Sequence, residues 1–119
     1  MSLHTSTGSP TKNQQQRFEA MKLDIGCICC RLKGLGHVEP DINHSLTARK
    51  RRGHDFTYPL CKWHHVGWLA DGYTTETMTK AFGPSLAKGS KPFHAHFGSD
   101  DELTDAVGQM LLRCHGIAA

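Results

Sequence analysis

The chain has 119 residues, 38% of them hydrophobic and nine aromatic, which is one domain with a modest core, of a size that often needs a staple such as a metal. Its formal net charge of +3 divides into a basic middle at Arg49, Lys50, Arg51 and Arg52 and acids at Asp100, Asp101, Glu102 and Asp105, so one face suits phosphates. Five cysteines exclude full disulfide pairing within one chain, and no apolar run approaches the roughly 18 residues of a membrane span; with a polar stretch at Met1 to Gly8, these features predict a reducing, cytoplasmic setting.

The first eleven or so residues are rich in Ser, Thr, Gly and Pro and read as loose. Good helix formers from Lys12 to Asp24 predict a helix with Phe18, Met21 and Ile25 on one face, stopped by Gly26. Residues 1–24 thus read as a polar N-terminal segment and helix, ahead of the main domain over 25–119. Residues 27–42 look irregular, with turn signals at Gly34 and Gly36. A strand is expected from Val38 to Leu46, a basic hairpin turn from Thr47 to Gly53, and a returning strand from Asp55 to Leu60 with Pro59 at its end. Cys61 to Leu69 reads as a short helix anchored by Trp63, Trp68 and Leu69, with Gly72 beyond it. Thr75 to Phe82 reads as another helix and Gly83 to Lys91 as loop. Ser99 and Glu102 form a capping box opening a terminal helix, with Leu103, Ala106, Val107, Met110 and Leu111 on its core face.

Two half-sites about thirty residues apart carry the chemistry. Cys27-Ile28-Cys29-Cys30 supplies a Cys-x-x-Cys, and Cys61-Lys62-Trp63-His64-His65 supplies a Cys-x-x-His. Four soft ligands are what a structural Zn²⁺ takes in tetrahedral geometry. The bland alternative is buried free thiols, and Cys29 fits it best. His64 and His65 compete for the fourth position. Adjacent helical residues point about 100° apart, so one ion does not take both, and the spare imidazole is either solvated or bound to a second, catalytic metal. His44, on the expected first strand, is of a type suited to take a proton from water at physiological pH. Four adjacent cations at Arg49 to Arg52 repel one another unless an anion joins them, and phosphate matches their forks. His94 and His96 would share one face of a strand as a second metal pair, or help line a surface around Phe93 and Phe97. Cys114 and His115 have no evident partner.

The order of these features resembles the ββα-metal, or HNH, nuclease motif. More narrowly, residues 27–32 (Cys-Ile-Cys-Cys-Arg-Leu), 53–61 (Gly-His-Asp-Phe-Thr-Tyr-Pro-Leu-Cys) and 93–103 (Phe-His-Ala-His-Phe-Gly-Ser-Asp-Asp-Glu-Leu) look like the phage RecA-dependent nuclease family, the Ref type, over roughly residues 25 to 113. The resemblance implies a small α+β, zinc-stabilised domain with a ββα-metal core, flanking helices and long loops. It implies structural Zn²⁺ on Cys27, Cys30, Cys61 and His64, His44 as general base, and His65 as a ligand of a catalytic Mg²⁺ or Mn²⁺. Where family members often carry a His or an acid just before the base, this chain has Asn43, whose amide oxygen is a weaker ligand. His54 and Asp55 stand nearest the place of the middle Asn of HNH. The implied activity is hydrolysis of DNA phosphodiester bonds in recombination on DNA paired by a RecA filament. Arg49, Lys50, Arg51, Arg52 and Lys62 would contact the DNA backbone. Two other readings use the same zinc site: a non-catalytic zinc-stabilised DNA-binding module, and a structural adaptor that binds a recombinase.

Overall fold

Thr11 begins the first helix. Its hydroxyl accepts from the Gln14 N–H at 3.2 Å, and the Gln14 side chain accepts from the Thr11 N–H at 2.9 Å, so two backbone donors at this helix entry are satisfied reciprocally. The computed structural model describes residues 9–44, 46–47, 50–51, 53 and 56–115. In it α1 runs Lys12–Ala20 and continues as a π-helical turn, Met21–Ile25. Met21 and Ile25 are buried with Phe18 packed beside them, the face expected from their spacing. Gly26 stops the helix at φ 72°, and a Cβ there would lie 2.8 Å from the Val38 carbonyl oxygen. The stop is therefore set by a backbone crossing as well as by conformation.

The next segment corrects the expectation of an irregular stretch. Cys27 is extended and its side chain accepts from the Cys30 N–H, capping a short helix α2, Ile28–Leu32. Val38 does not enter a strand. Its carbonyl accepts from the Cys27 N–H at 2.9 Å, which commits it to the Cys-x-x-Cys turn. Strand β1 accordingly starts later, at Asp41–His44.

Two short ladders follow. β1 pairs antiparallel with β4, Thr57–Leu60, in the register Asp41↔Leu60, Ile42↔Pro59, Asn43↔Tyr58, His44↔Thr57. Between them β2, Leu46–Thr47, pairs with β3, Lys50–Arg51, with Leu46 opposite Arg51 and Thr47 opposite Lys50. The basic run is thus not confined to a turn, because Lys50 and Arg51 belong to a strand. Arg49, Arg52, His54 and Asp55 lie outside the described residues. Pro59 sits inside β4 rather than at its end. Among the described residues β4 has one partner strand, so a residue without an N–H is tolerated on its outer edge.

α3 is Lys62–Val66, ending three residues earlier than expected, because Gly67 turns left-handed at φ 75° and ends it. Trp63 stays an anchor, its indole N–H donating to the Gly83 carbonyl at 2.9 Å. Trp68 and Leu69, past the break, are 55% and 40% exposed. α4 is Thr75–Phe82, as expected. After a 3₁₀ turn at Leu86–Lys88, α5 spans Ser90–Phe97. His94 and His96 are therefore helical, not on a strand. α6, Asp100–His115, opens with the expected box, Glu102 N–H to Ser99 Oγ at 3.1 Å and Ser99 N–H to Glu102 Oε1 at 2.9 Å. It buries Leu103, Val107 and Leu111.

The described residues form an α+β fold with six α-helices, and β4 lies at its centre. All four β4 residues are buried, and the strand packs against α2, α6 and the π-helical turn. Arg17 is buried too, donating to the Thr57 carbonyl at 3.0 Å and to the Thr57 hydroxyl, which ties α1 to the same strand. No helix among the described residues is long and apolar enough to cross a membrane.

Candidate metal centre

Cys27 caps α2, Cys30 lies within it, Cys61 caps α3, and His64 lies one helical turn beyond Cys61. Their four ligand atoms are buried and all fall within 4.8 Å of one another. His64 Nδ1 is 3.2 Å from Cys61 Sγ, 3.4 Å from Cys27 Sγ and 3.7 Å from Cys30 Sγ, while Cys30 and Cys61 sulfurs are 3.9 Å apart. Sulfur at about 2.3 Å and nitrogen at about 2.0–2.1 Å around a tetrahedral Zn²⁺ stand about 3.8 Å apart sulfur to sulfur and about 3.6 Å apart sulfur to nitrogen. The observed edges fit that tetrahedron, so this Cys₃His set could hold a metal such as zinc.

Hydrogen bonds within the cluster shift its groups in different directions. Hydrogen bonds with Cys29, Cys30 and Cys61 hold the Cys27 thiol far below its usual range, against the opposing effect of burial. Bonds to Cys27 and Cys61, with burial, push Cys30 well up. Burial pulls His64 down, but the Cys27 and Cys61 sulfurs outweigh it and bring its pKa to about 9. A bound metal would displace the protons that Cys30 and His64 hold, because its ligands are thiolate and neutral imidazole. With Nδ1 facing the sulfurs, His64 donates its Nε2–H to the Phe82 carbonyl at 2.7 Å, an outer contact that fixes tautomer and ring orientation. Phe97 of α5 closes the other side, its ring edge-on to His64 at 5.2 Å between centroids.

The structure separates the two competing histidines. His64 is fully buried in the cluster. His65 is turned away from it, with Nδ1 3.3 Å from Asp41 Oδ2 and the side chains 29% and 48% exposed. Asn43 lies two residues along β1 from Asp41, on the same strand face, and is buried. Its side chain hydrogen-bonds Tyr58, its cross-strand partner, which opposes the rise in the phenol's pKa. His44, half-buried at the far end of β1, stands edge-on to Phe18 at 6.2 Å between ring centroids. Three residues at about 3.3 Å each put its Cα about 10 Å from that of Asp41. Lys62 is exposed at the first position of α3.

Asp41, Tyr58 and Asp100 were not singled out by sequence reasoning. Tyr58 is buried and donates its hydroxyl to Asp100 Oδ1 at 2.6 Å. Burial, then the Asp100 carboxylate, pushes its pKa above the ordinary phenol value. His94 Nε2 lies 3.5 Å from the same carboxylate oxygen. His94 therefore joins a polar link between the sheet and the start of α6. No sequence spacing rule reaches the Asp41–His65 and Tyr58–Asp100 pairs, which are 24 and 42 residues apart. Cys29 is buried and stands outside the Cys₃His set, and Cys114 is an exposed thiol. Among the described residues no second group of three or more potential metal ligands gathers.

Residues 10–112 match the family model described as "Recombination enhancement, RecA-dependent nuclease", most of the chain. No curated protein matches it.

Proposed function

The chain belongs to the RecA-dependent nuclease family, and on that premise we propose that it is a metal-dependent DNA endonuclease of the HNH type, acting in the cytoplasm on DNA held by a RecA filament. The observation that carries the reading is the division of labour on α3. Antiparallel β1 and β4 run directly into that helix, the order of a ββα-metal core, and consecutive histidines on it face different places, His64 toward the sulfurs and His65 toward β1.

In this reading Cys27, Cys30, Cys61 and His64 hold a structural Zn²⁺ that fastens α2 to α3. His65 is a ligand of a catalytic Mg²⁺ or Mn²⁺, with the Asn43 amide oxygen on the same strand face as an additional donor. When bound, that ion supplies positive charge to the phosphate and the leaving oxygen. His44 accepts the proton of the attacking water. Lys62, at the exposed start of α3, contacts a phosphate beside the site, and Arg49, Lys50, Arg51 and Arg52 grip the backbone without reading bases.

Cleavage of DNA with Mg²⁺ or Mn²⁺, with and without a RecA filament, tests the proposal beside His44→Ala. Cutting by the parental protein that His44→Ala abolishes is the expected result. Binding without cutting under every condition would replace the nuclease by a zinc-stabilised DNA-binding module.

A further inference from the structure

We propose that Asp41 is the positioning residue of His65, fixing the imidazole with its proton on Nδ1 and its Nε2 lone pair directed outward to take a divalent cation. The inference rests on the reading of His65 as the catalytic-ion ligand and adds a residue to it. His65 Nδ1 is 3.3 Å from Asp41 Oδ2. An ionised carboxylate only accepts hydrogen bonds, so the nitrogen facing it must carry the hydrogen. In the neutral ring the other nitrogen, Nε2, is then the base and the ligand.

The fold holds this pair at both ends. Asp41 is opposite Leu60 in the ladder, and Leu60 immediately precedes Cys61, the N-cap of α3. The strand pairing therefore sets the separation of Asp41 from the helix that carries His65. The rotation of α3 is set separately, by His64 Nδ1 among the sulfurs and His64 Nε2 on the Phe82 carbonyl. The next residue, about 100° further round, meets β1 at Asp41. The two neighbours are consequently held in opposite tautomers. His64 offers Nδ1 inward with Nε2 protonated, whereas His65 keeps Nδ1 protonated and offers Nε2.

The test is ¹⁵N NMR of the imidazole nitrogens in the zinc-loaded protein, with no second metal added, followed by Mn²⁺ titration read by electron paramagnetic resonance. The parental protein, Asp41→Ala, Asp41→Asn and His65→Ala are compared, and the His65 signals are assigned by their loss in His65→Ala. The expected result is Nδ1–H in the parent and a shift toward Nε2–H in Asp41→Ala. Mn²⁺ affinity should fall by about 10–100-fold, the usual cost of losing such an outer partner. Asp41→Asn, whose amide oxygen can still accept from Nδ1–H, should restore part of both. An unchanged tautomer in Asp41→Ala overturns the proposal. So does a shifted tautomer with unchanged Mn²⁺ affinity. In that case His65→Ala distinguishes the cause: if it weakens Mn²⁺ binding, the role of Asp41 alone is wrong, and if it does not, the assignment of His65 as the ion's ligand is wrong as well.

Discussion

Alanine at His64 and alanine at His65 should produce opposite defects, although the residues are adjacent and chemically identical. His64 is fully buried, lies within 3.2 to 3.7 Å of three sulfurs and donates to the Phe82 carbonyl. Structural zinc contributes on the order of 10–16 kcal/mol in small finger peptides, against a total domain stability of about 5–15 kcal/mol. Removing one of four ligands forfeits a large part of that term. The Phe82 carbonyl also loses its donor, at about 1–3 kcal/mol, and the space left by the ring adds to the loss. The sum reaches the whole stability of the domain, so His64→Ala should lose zinc and fail to fold. His65 loses one contact to a half-exposed carboxylate, worth at most about 1 kcal/mol, or roughly 2–8 °C in melting temperature. His65→Ala should therefore remain folded, zinc-loaded and DNA-binding, yet not cut. His44→Ala should behave like His65→Ala, with a rate loss of about 10²–10⁴, the usual worth of a proton-transfer group. Zinc content, melting temperature and cleavage rate measured on all three variants decide the matter. Loss of zinc from His65→Ala with retention in His64→Ala would reverse the assignment. A folded His44→Ala protein cutting at the parental rate would refute the nuclease reading.

Cys30→Ser and Cys61→Ser should lose metal and solubility, and chelation should lower the melting temperature of the parental protein; full stability after verified zinc removal would refute a structural role for the centre. DNA binding should weaken steeply with salt, each neutralised duplex phosphate steepening the slope of log K against log salt by about 0.9. Replacing Arg51 and Arg52 by alanine should flatten that slope and weaken binding to all sequences alike, and an unchanged slope in filter or anisotropy titrations would remove these residues from the interface. Tyr58→Phe should cost about 1.5–3 kcal/mol in denaturant melts, because the lost bond at 2.6 Å goes to a carboxylate. Its pH dependence has a definite sign. The folded pKa of Tyr58 lies above its ordinary 10.0, so its contribution is complete below pH 10 and is lost as pH climbs from there toward the folded value. Tyr58→Phe should lessen the fall in stability above about pH 10, and an identical alkaline slope in both proteins would count against the buried link.

The Cys₃His set was legible in the sequence because coordination chemistry leaves few choices. A Cys-x-x-Cys turn and a Cys-x-x-His on one helical turn each present two donors to one point, and the structure needed only to bring the two points together. Capping boxes and stop glycines are equally local, which is why α4 and the start of α6 fall where expected. What escaped was set by tertiary contact. α2 forms on the Cys27 cap, and Val38 is taken from the strand by a backbone bond to Cys27. Phe93 and Phe97 satisfy both the two-residue and the four-residue period, so the alternating stretch around His94 and His96 reads as strand or helix alike. Gly89 and Gly98 bracket it, and Pro92 falls in the first turn, where proline is tolerated, so it folds as a helix. Asp41 and His65 are 24 residues apart, and only the ladder and α3 together bring them into contact.

A five-residue helix has almost no stability of its own, yet α3 is asked to aim an imidazole. The aim is supplied from outside the helix. Cys61 and His64 tie its start and its middle to α2 through the sulfur cluster, Trp63 anchors it to the Gly83 carbonyl, and Gly67 stops it before further residues could loosen its rotation. In this arrangement the structural centre and the proposed catalytic ligand are one residue apart for a physical reason. Any shift of His64 relative to the sulfurs turns the helix and displaces His65 from Asp41 by a comparable amount. Partial zinc loss should therefore depress cutting before it depresses the melting temperature. Stepwise chelation, with zinc content, melting and cleavage followed on the same samples, checks this. A cleavage rate that stays constant per folded molecule while zinc is withdrawn would show that the two sites are independent.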